Sequence, residues 1–330
     1  MKIKILSQEN VKQAITISEA ISAVRDAFIQ LSAQEAIVPM RSQIQIAKKN
    51  GISLFMPAYL ENSHSLGAKI VSVFPANPSK NLPTISAVVI VLDADTGRPQ
   101  AILDGTFLTA LRTGAASGVA TDLLARQDAS TAAVFGAGTQ GRTQIEAVCT
   151  VRTIEKIWIY DPDLSAAEKC VQELKEKGAP FPQDISPASS PEQAASQADI
   201  ICTATTSCLP VFDNEFIKQG VHINGVGSYT PEMQEIPSET VVRAKVFVDS
   251  VSAIWEEAGD LIIPLQKGLI QKSHIRGELG EVASGTISGR ESAEDITFFK
   301  SVGVAVQDVA VAQIILQAAE KFGLGLDVDL

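Results

Sequence analysis

From Thr131 the chain reads Thr-Ala-Ala-Val-Phe-Gly-Ala-Gly-Thr-Gln-Gly, ending at Gly141. A short apolar run that suits a buried strand meets three glycines spaced G-x-G-x-x-G. A helix-like segment, Arg142 to Val151, follows at once. A strand that turns directly into a helix, with no side chain at three set positions, points to a parallel α/β sheet with a phosphate-binding turn. Gly136 permits the tight turn, Gly138 lets a pyrophosphate approach the backbone, and Gly141 lets the helix lie close to the sheet. The diphosphate then faces the helix N-terminus, where free N–H groups and the dipole favour anions.

The motif alone is weak, and its surroundings decide. A second apolar run, Lys156-Ile157-Trp158-Ile159-Tyr160, ends in Asp161, twenty positions after Gly141. There an acid is expected to hydrogen-bond the adenosine ribose hydroxyls. Asp163 adds negative charge that would repel a 2′-phosphate, so NAD(H) is predicted over NADP(H).

Bulk properties narrow the class. The 330 residues suffice for two domains with real cores, and a net charge of −11 argues against nucleic acid or an anionic membrane as the main partner. No apolar run is long enough for a membrane span, and Met1 to Leu6 lacks the features of a signal peptide. Cys149, Cys170, Cys202 and Cys208 have no metal-ligand spacing and histidines number three. No metal site is expected, and reduced core thiols in a cytoplasmic protein are the expectation.

Along the chain, Thr16-Ile17-Ser18-Glu19 fits a capping box ahead of an amphipathic helix carrying Ala20, Ile21, Val24, Ala27, Phe28 and Leu31. Strand patterns follow at Ile52–Met56, Leu66–Val73, Ile85–Leu92 and Gln100–Leu103, with Asp93–Gly97 as a hairpin turn. These predict an antiparallel-rich α+β unit. Phe107 to Leu124 reads as a helix of small residues in which Arg112 stands alone, and a buried cation there requires an anionic partner. Beyond the glycine turn, strands and helices alternate as in a doubly wound sheet, with strands at Asp199–Thr205, Val221–Gly227 and Lys245–Asp249. Ligands collect at the carboxyl ends of such strands, so Thr205, Val226, Gly227, Ser228 and Tyr229 are expected to face the dinucleotide. Glu256–Asp260 reads as a solvated charged face. A closing helix, Val304 to Lys321, places Val306, Val309, Ala310, Ile314 and Ala318 on one face.

Several segments together resemble the ornithine cyclodeaminase/mu-crystallin family over essentially the whole length. They are Val38–Arg41, Gly67–Ser72, Asn81–Thr84, Leu108–Ala115, the Gly136–Gly141 turn, Asn224–Gly227 and Ser301–Gly303. The resemblance implies a central doubly wound Rossmann domain at 116–301. It also implies a second α+β domain for substrate and dimerisation, made of 1–115 plus 302–330, and a homodimer. It further implies that Arg41 and Lys69 hold a substrate carboxylate and that Arg112 lies near the nicotinamide end and the same acid. Thr84, Thr139, Gln140, Asp161, Thr205, Val226 and Ser301 would contact the cofactor, and Val302 would line the substrate pocket.

One departure redirects the chemistry. Cyclodeaminases and related archaeal alanine dehydrogenases carry an aspartate soon after the Asn-x-Val-Gly run, and here Tyr229 occupies that register; a lysine of the deaminases is replaced by Met233. Ornithine, with two ammonium groups, would meet Arg41, Lys69 and Arg112 without a countercharge, which is costly in a low-dielectric site. A cyclic α-imino acid such as Δ1-pyrroline-2-carboxylate offers one carboxylate to the cations and one C=N bond to a hydride. Tyr229, Ser228 or water would relay the proton, and Glu232 or Glu61 would be the carboxylates to restore an acid. The prediction is an NAD(P)H-dependent imine reductase giving an L-proline-like amino acid. The alternatives are an ornithine cyclodeaminase, an alanine dehydrogenase-like enzyme, or a non-catalytic ligand carrier.

Overall fold

The computed structural model describes residues 2–329; Met1 and Leu330, the outer limits of the expected second domain, lie outside the described residues. The chain opens with β1 (Lys2–Leu6), α1 (Gln8–Ala14), α2 (Ile17–Ser32), β2 (Ala36–Ile37), β3 (Ser42–Ile46), β4 (Gly51–Leu60), β5 (Ser65–Val73), β6 (Ile85–Asp93), β7 (Pro99–Asp104) and α3 (Gly105–Leu124). Next come β8 (Thr131–Phe135), α4 (Thr139–Val151), β9 (Lys156–Tyr160), α5 (Leu164–Lys177), β10 (Asp184–Pro187), α6 (Pro191–Gln197), β11 (Ile200–Thr203) and β12 (His222–Gly225). The remainder is α7 (Ser238–Arg243), β13 (Lys245–Val248), α8 (Val251–Glu257), α9 (Gly259–Gln266), β14 (Ile275–Glu278), α10 (Leu279–Ala283), β15 (Thr297–Lys300), α11 (Ala305–Phe322) and β16 (Leu326–Asp329). Two units result: one ends at Arg112 and resumes at Val304, and the other is Thr113–Gly303.

In the first unit the sheet order is β16-β1-β7-β6-β5-β4-β2, with β3 also on β4. All pairings are antiparallel except β1 with β7. The predicted capping box is present: Glu19 N–H donates to the Thr16 hydroxyl and Thr16 N–H donates to the Glu19 carboxylate. Strand register places Met56, Lys69, Val89 and Leu103 in one row across β4, β5, β6 and β7, all buried. Lys69 is the exception in that apolar row. On the opposite face Phe55, Ile70 and Val88 form the matching row, and Phe55 is 37% and Val88 40% exposed.

The last helix differs from its expected amphipathic stripe. Its first turns are buried all round, Gln307 and Asp308 included, while Ile314 and Ala318 are only half-buried. A helix packed against both β4 and β5 on one side and α2 on another has no solvent face at that end.

The second unit is an all-parallel sheet in the order β10-β9-β8-β11-β12-β15-β13-β14. The order reverses beside β8, the switch point where doubly wound sheets bind ligands. Ala133 and Phe135 of β8 enter the core on one face, Ala132 and Val134 that on the other. This explains why the strand reads as an unbroken apolar run. The expected solvated face at Glu256–Asp260 is corrected in part: Asp260 is fully buried and accepts hydrogen bonds from the Glu235 and Ile236 N–H groups. Cys208 is exposed, whereas Cys149, Cys170 and Cys202 are buried thiols.

His222 is fully buried on β12, with Nδ1 3.0 Å from the Thr297 hydroxyl and Nε2 3.2 Å from Asn224 Oδ1. Burial, reinforced by Arg290, pushes its pKa down from 6.5 to about 3. The folded state keeps it neutral while the unfolded chain gains a proton below pH 6.5. Its contribution is therefore complete above that pH and is lost as pH falls toward 3. Between roughly pH 6.5 and 4.5, wild type should lose up to about 1.4 kcal/mol per pH unit relative to His222→Gln, read from denaturant midpoints. Parallel stability curves for the two proteins would refute this assignment.

Candidate functional site

The glycine turn is built as its spacing requires. Gly136 lies at φ +101°, in the left-handed region, and a Cβ on Gly141 would collide with the Gly136 carbonyl oxygen. At Gly138 an added Cβ meets nothing within 4 Å. Gly138 caps α4 without a side-chain hydrogen bond, so the helix N-terminus keeps N–H groups for an anion. A cavity of about 670 Å³ opens here, lined among others by Gly136, Gly138, Asp161, Pro162, Thr205 and Thr206. Asp161 is pinned at the end of β9: Ala137 N–H donates to Oδ2 at 2.9 Å and Asp163 N–H to Oδ1 at 3.0 Å. Each oxygen retains acceptor capacity for a hydroxyl. Gln140 Oε1 is buried without a hydrogen-bond partner among the described residues. Open space over a glycine, a bare helix terminus and an acid at the strand end fit a dinucleotide; Gly136, Gly138, Asp161 and Thr205 line the cavity, and Thr139, Gln140 and Gly141 form the first turn of α4.

Two buried carboxylates shape the neighbouring loops. Glu235 accepts from the N–H groups of Thr205 (2.6 Å), Gly227 (2.8 Å) and Ser228 (3.1 Å) and from the Thr203 hydroxyl (2.9 Å). It thereby ties the carboxyl end of β11 to that of β12, where Val226 lies. Asp249 accepts from the Ser301 hydroxyl (2.7 Å) and the N–H groups of Val302 (3.0 Å) and Gly303 (2.8 Å). Burial raises the pKa of both carboxylates; nearby Asp260 adds to the rise at Glu235, and the donated hydrogen bonds oppose it. Neither residue was visible in the sequence as functional, since a lone acid carries no sign of the loop it will hold.

In the first unit, Lys69 of β5 and Arg112 of α3 converge on Asp308 of α11. Lys69 Nζ is 2.8 Å from Oδ2 and Arg112 Nε 3.0 Å from Oδ1. Exposures are 1% for Lys69, 6% for Arg112 and 0% for Asp308. A terminal guanidinium nitrogen of Arg112 donates to Gln307 Oε1 at 2.5 Å. Burial lowers the Lys69 pKa to about 8, Arg112 and then Arg41 repel its charge, and Asp308 supports it. Thus Arg41 and Arg112 both lie within electrostatic reach of Lys69. The anionic partner that a buried Arg112 demands is Asp308, and the sequence carried a signal for it: an acid inside an otherwise apolar helix. The alternative acids do not fill this role, because Glu61 and Glu232 are exposed.

The other expected residues fall as follows. Thr84 is half-buried on the loop before β6, its carbonyl accepting from Phe74 N–H. Tyr229 is exposed, Met233 is buried, and the Ser228 hydroxyl donates to the Met233 carbonyl at 2.7 Å. The Ser301 hydroxyl is committed to Asp249, and the Val302 side chain sits in the apolar core of the second unit.

These features define a Rossmann-type dinucleotide-binding protein with a cationic group in its other unit. Residues 1–322 match the model of the ornithine cyclodeaminase/mu-crystallin family, and the chain belongs to that family. A Delta(1)-pyrroline-2-carboxylate reductase from Bacillus cereus is 41% identical over 322 residues, covering 97% of this chain and 98% of that one. Among solved structures, the Thermococcus litoralis Delta(1)-pyrroline-2-carboxylate reductase in complex with NADH and L-proline superimposes with a TM-score of 0.95. It is 42% identical and the match covers 99% of this chain and all of that one. An archaeal alanine dehydrogenase dimer with bound NAD superimposes with a TM-score of 0.93 at 36% identity, both chains covered completely.

The two glycines separate packing from ligand approach. Gly141→Ala should lower the unfolding temperature of the ligand-free protein, because the turn must open. Gly138→Ala should leave that temperature unchanged and weaken NADH binding at least about tenfold in a fluorescence titration. A Gly138→Ala protein that binds NADH like wild type would remove the diphosphate from this turn.

Proposed function

We propose that this chain is a reductase of a cyclic α-imino acid, Δ1-pyrroline-2-carboxylate or a similar ketimine, producing an L-proline-like amino acid. The observation that carries the reading is the convergence of Lys69 and Arg112 on one internal carboxylate, with Arg41 in reach. Lys69 and Arg112 share a single acid, so the pair keeps formally one positive charge for an incoming carboxylate. Similarity to the reductase solved with NADH and L-proline supports the same reading.

Arg41, Lys69 and Arg112 grip the substrate carboxylate and so fix the orientation of the adjacent C=N carbon, and orientation is a large part of the acceleration in such a reaction. NADH, when bound, supplies the hydride. The imine nitrogen takes its proton from Tyr229 or water, because the Ser228 hydroxyl already donates to Met233. Asp161, acidic at the ribose end of the cavity, favours NADH over NADPH. Ornithine fits poorly: Asp308 is already engaged by two protein cations, so an added ammonium finds no unshared acid there. Unpaired thiols suit a reducing compartment such as the cytoplasm.

Purified protein should oxidise NADH with Δ1-pyrroline-2-carboxylate, use NADPH less well, and release no ammonia from L-ornithine plus NAD. Proline and ammonia from ornithine without imine reduction would overturn the assignment; NADH oxidation with pyruvate and ammonia but not with the imine would favour an alanine dehydrogenase-like activity.

The open apolar face of the first unit, with Phe55 and Val88 in one row and Ile44 exposed on β3, supports a homodimer formed through that face. Light scattering should show two chains for wild type and one for Val88→Asp; a dimer that persists in the variant would place the interface elsewhere.

A further inference from the structure

The geometry points to Asp308 as a positioning residue that acts through Lys69 and Arg112, holding both cations on one carboxylate and keeping the Lys69 ammonium charged in a fully buried place. The inference rests on the reading above, in which those cations bind the substrate acid, and adds the group that makes them fit to do so.

Three elements supply the cluster: β5 gives Lys69, α3 gives Arg112 and α11 gives Asp308 with Gln307 beside it. The carboxylate divides its oxygens, Oδ2 for the ammonium and Oδ1 for the guanidinium Nε. Each oxygen therefore aims one cation, and neither cation can swing toward the other's place without leaving its partner. Lys69 meets Asp308 as an ion pair at 2.8 Å, and an ammonium has three N–H donors, so the contact does not exhaust its capacity for an incoming carboxylate. Among the described residues the ion pairs of Asp308 are with Lys69 and Arg112, so its role is indirect.

Charge gives the second half of the argument. The titratable groups facing Lys69 are Asp308 from α11, Arg112 from α3 and Arg41 from the segment before β3. Its cross-strand neighbours, Met56 and Val89, carry no charge. Burial and both arginines push the ammonium toward losing its proton, and the Asp308 carboxylate, 2.8 Å away, opposes them. With the pKa held at about 8, Lys69 remains mostly protonated at neutral pH. Replace the acid by an uncharged isostere and two buried cations, Lys69 and Arg112, lose their shared countercharge, and the lysine is the one that can give up a proton.

The test is Asp308→Asn, followed through pH profiles of kcat/KM for Δ1-pyrroline-2-carboxylate. The alkaline limb should move down by at least about one pH unit, and KM should rise roughly tenfold or more near neutral pH with a smaller change in kcat. NADH binding, measured by fluorescence, should be unchanged and reports that the variant is folded. In a Lys69→Met background the same substitution should have a smaller effect and no alkaline-limb shift, since only the part exerted through Arg112 remains. A superimposable alkaline limb in Asp308→Asn, or fully independent effects of the two substitutions, would overturn the proposal. Should Asp308→Asn fail to bind NADH, Lys69→Arg carries the test: a side chain that does not titrate should abolish the limb, and a limb that persists overturns the proposal. Failure of the wild type to reduce any imine would sink the functional reading alone. An isotope-labelled lysine NMR titration would then still decide whether Asp308→Asn lowers the Lys69 pKa.

Discussion

A charge taken out of water needs an opposite charge beside it, and in the first unit that requirement ties three elements together. Lys69 sits in a strand row otherwise made of Met56, Val89 and Leu103, and Arg112 lies on a helix of small residues. Neither position tolerates a lone cation. Asp308 answers both, and α11 is buried around its first turns because the carboxylate must reach inward to the sheet. The chain crosses most of its length between Arg112 and Asp308, so the second unit is an insertion between two parts of one ion-paired cluster.

The second unit uses buried carboxylates differently. Glu235 and Asp249 meet mainly backbone N–H groups and hydroxyls, and they set the course of the loops at the carboxyl ends of β11, β12 and β15. Parallel strands end together at one edge of the sheet, and loops leaving that edge have no ladder to hold them. An internal anion with several donors gives such loops a single conformation without a regular element. Asp260 repeats the device one layer back, accepting from Glu235 and Ile236 N–H groups while paired with Lys300.

How much of this was legible in the chain depends on the kind of signal. The glycine turn, the strand ending in Asp161 and the capping box at Thr16 rest on neighbours close in sequence, where spacing alone carries the geometry. Lys69 and Arg112 were legible as cations in apolar surroundings. Asp308 stands out as an acid near the start of an apolar helix, but its pairing with them does not, because a contact across nearly two hundred residues leaves no local pattern. The Glu256–Asp260 stretch misled for a related reason: charge in a helix usually marks a wet face, and here Asp260 turns inward to backbone donors. Val302 shows the reverse, an apolar side chain whose neighbourhood is core while its N–H serves Asp249.

Asp161 has a second task that bears on any attempt to redirect this chain to the phosphorylated coenzyme. Its carboxylate accepts from the Ala137 N–H inside the glycine turn as well as facing the cavity. Exchanging it for a small neutral residue makes room for a phosphate and at the same time orphans an amide in the loop that must stay rigid. Breadth of coenzyme choice and firmness of the phosphate cradle are thus coupled through one side chain. A clean switch needs a compensating acceptor for Ala137 alongside a new cation for the phosphate.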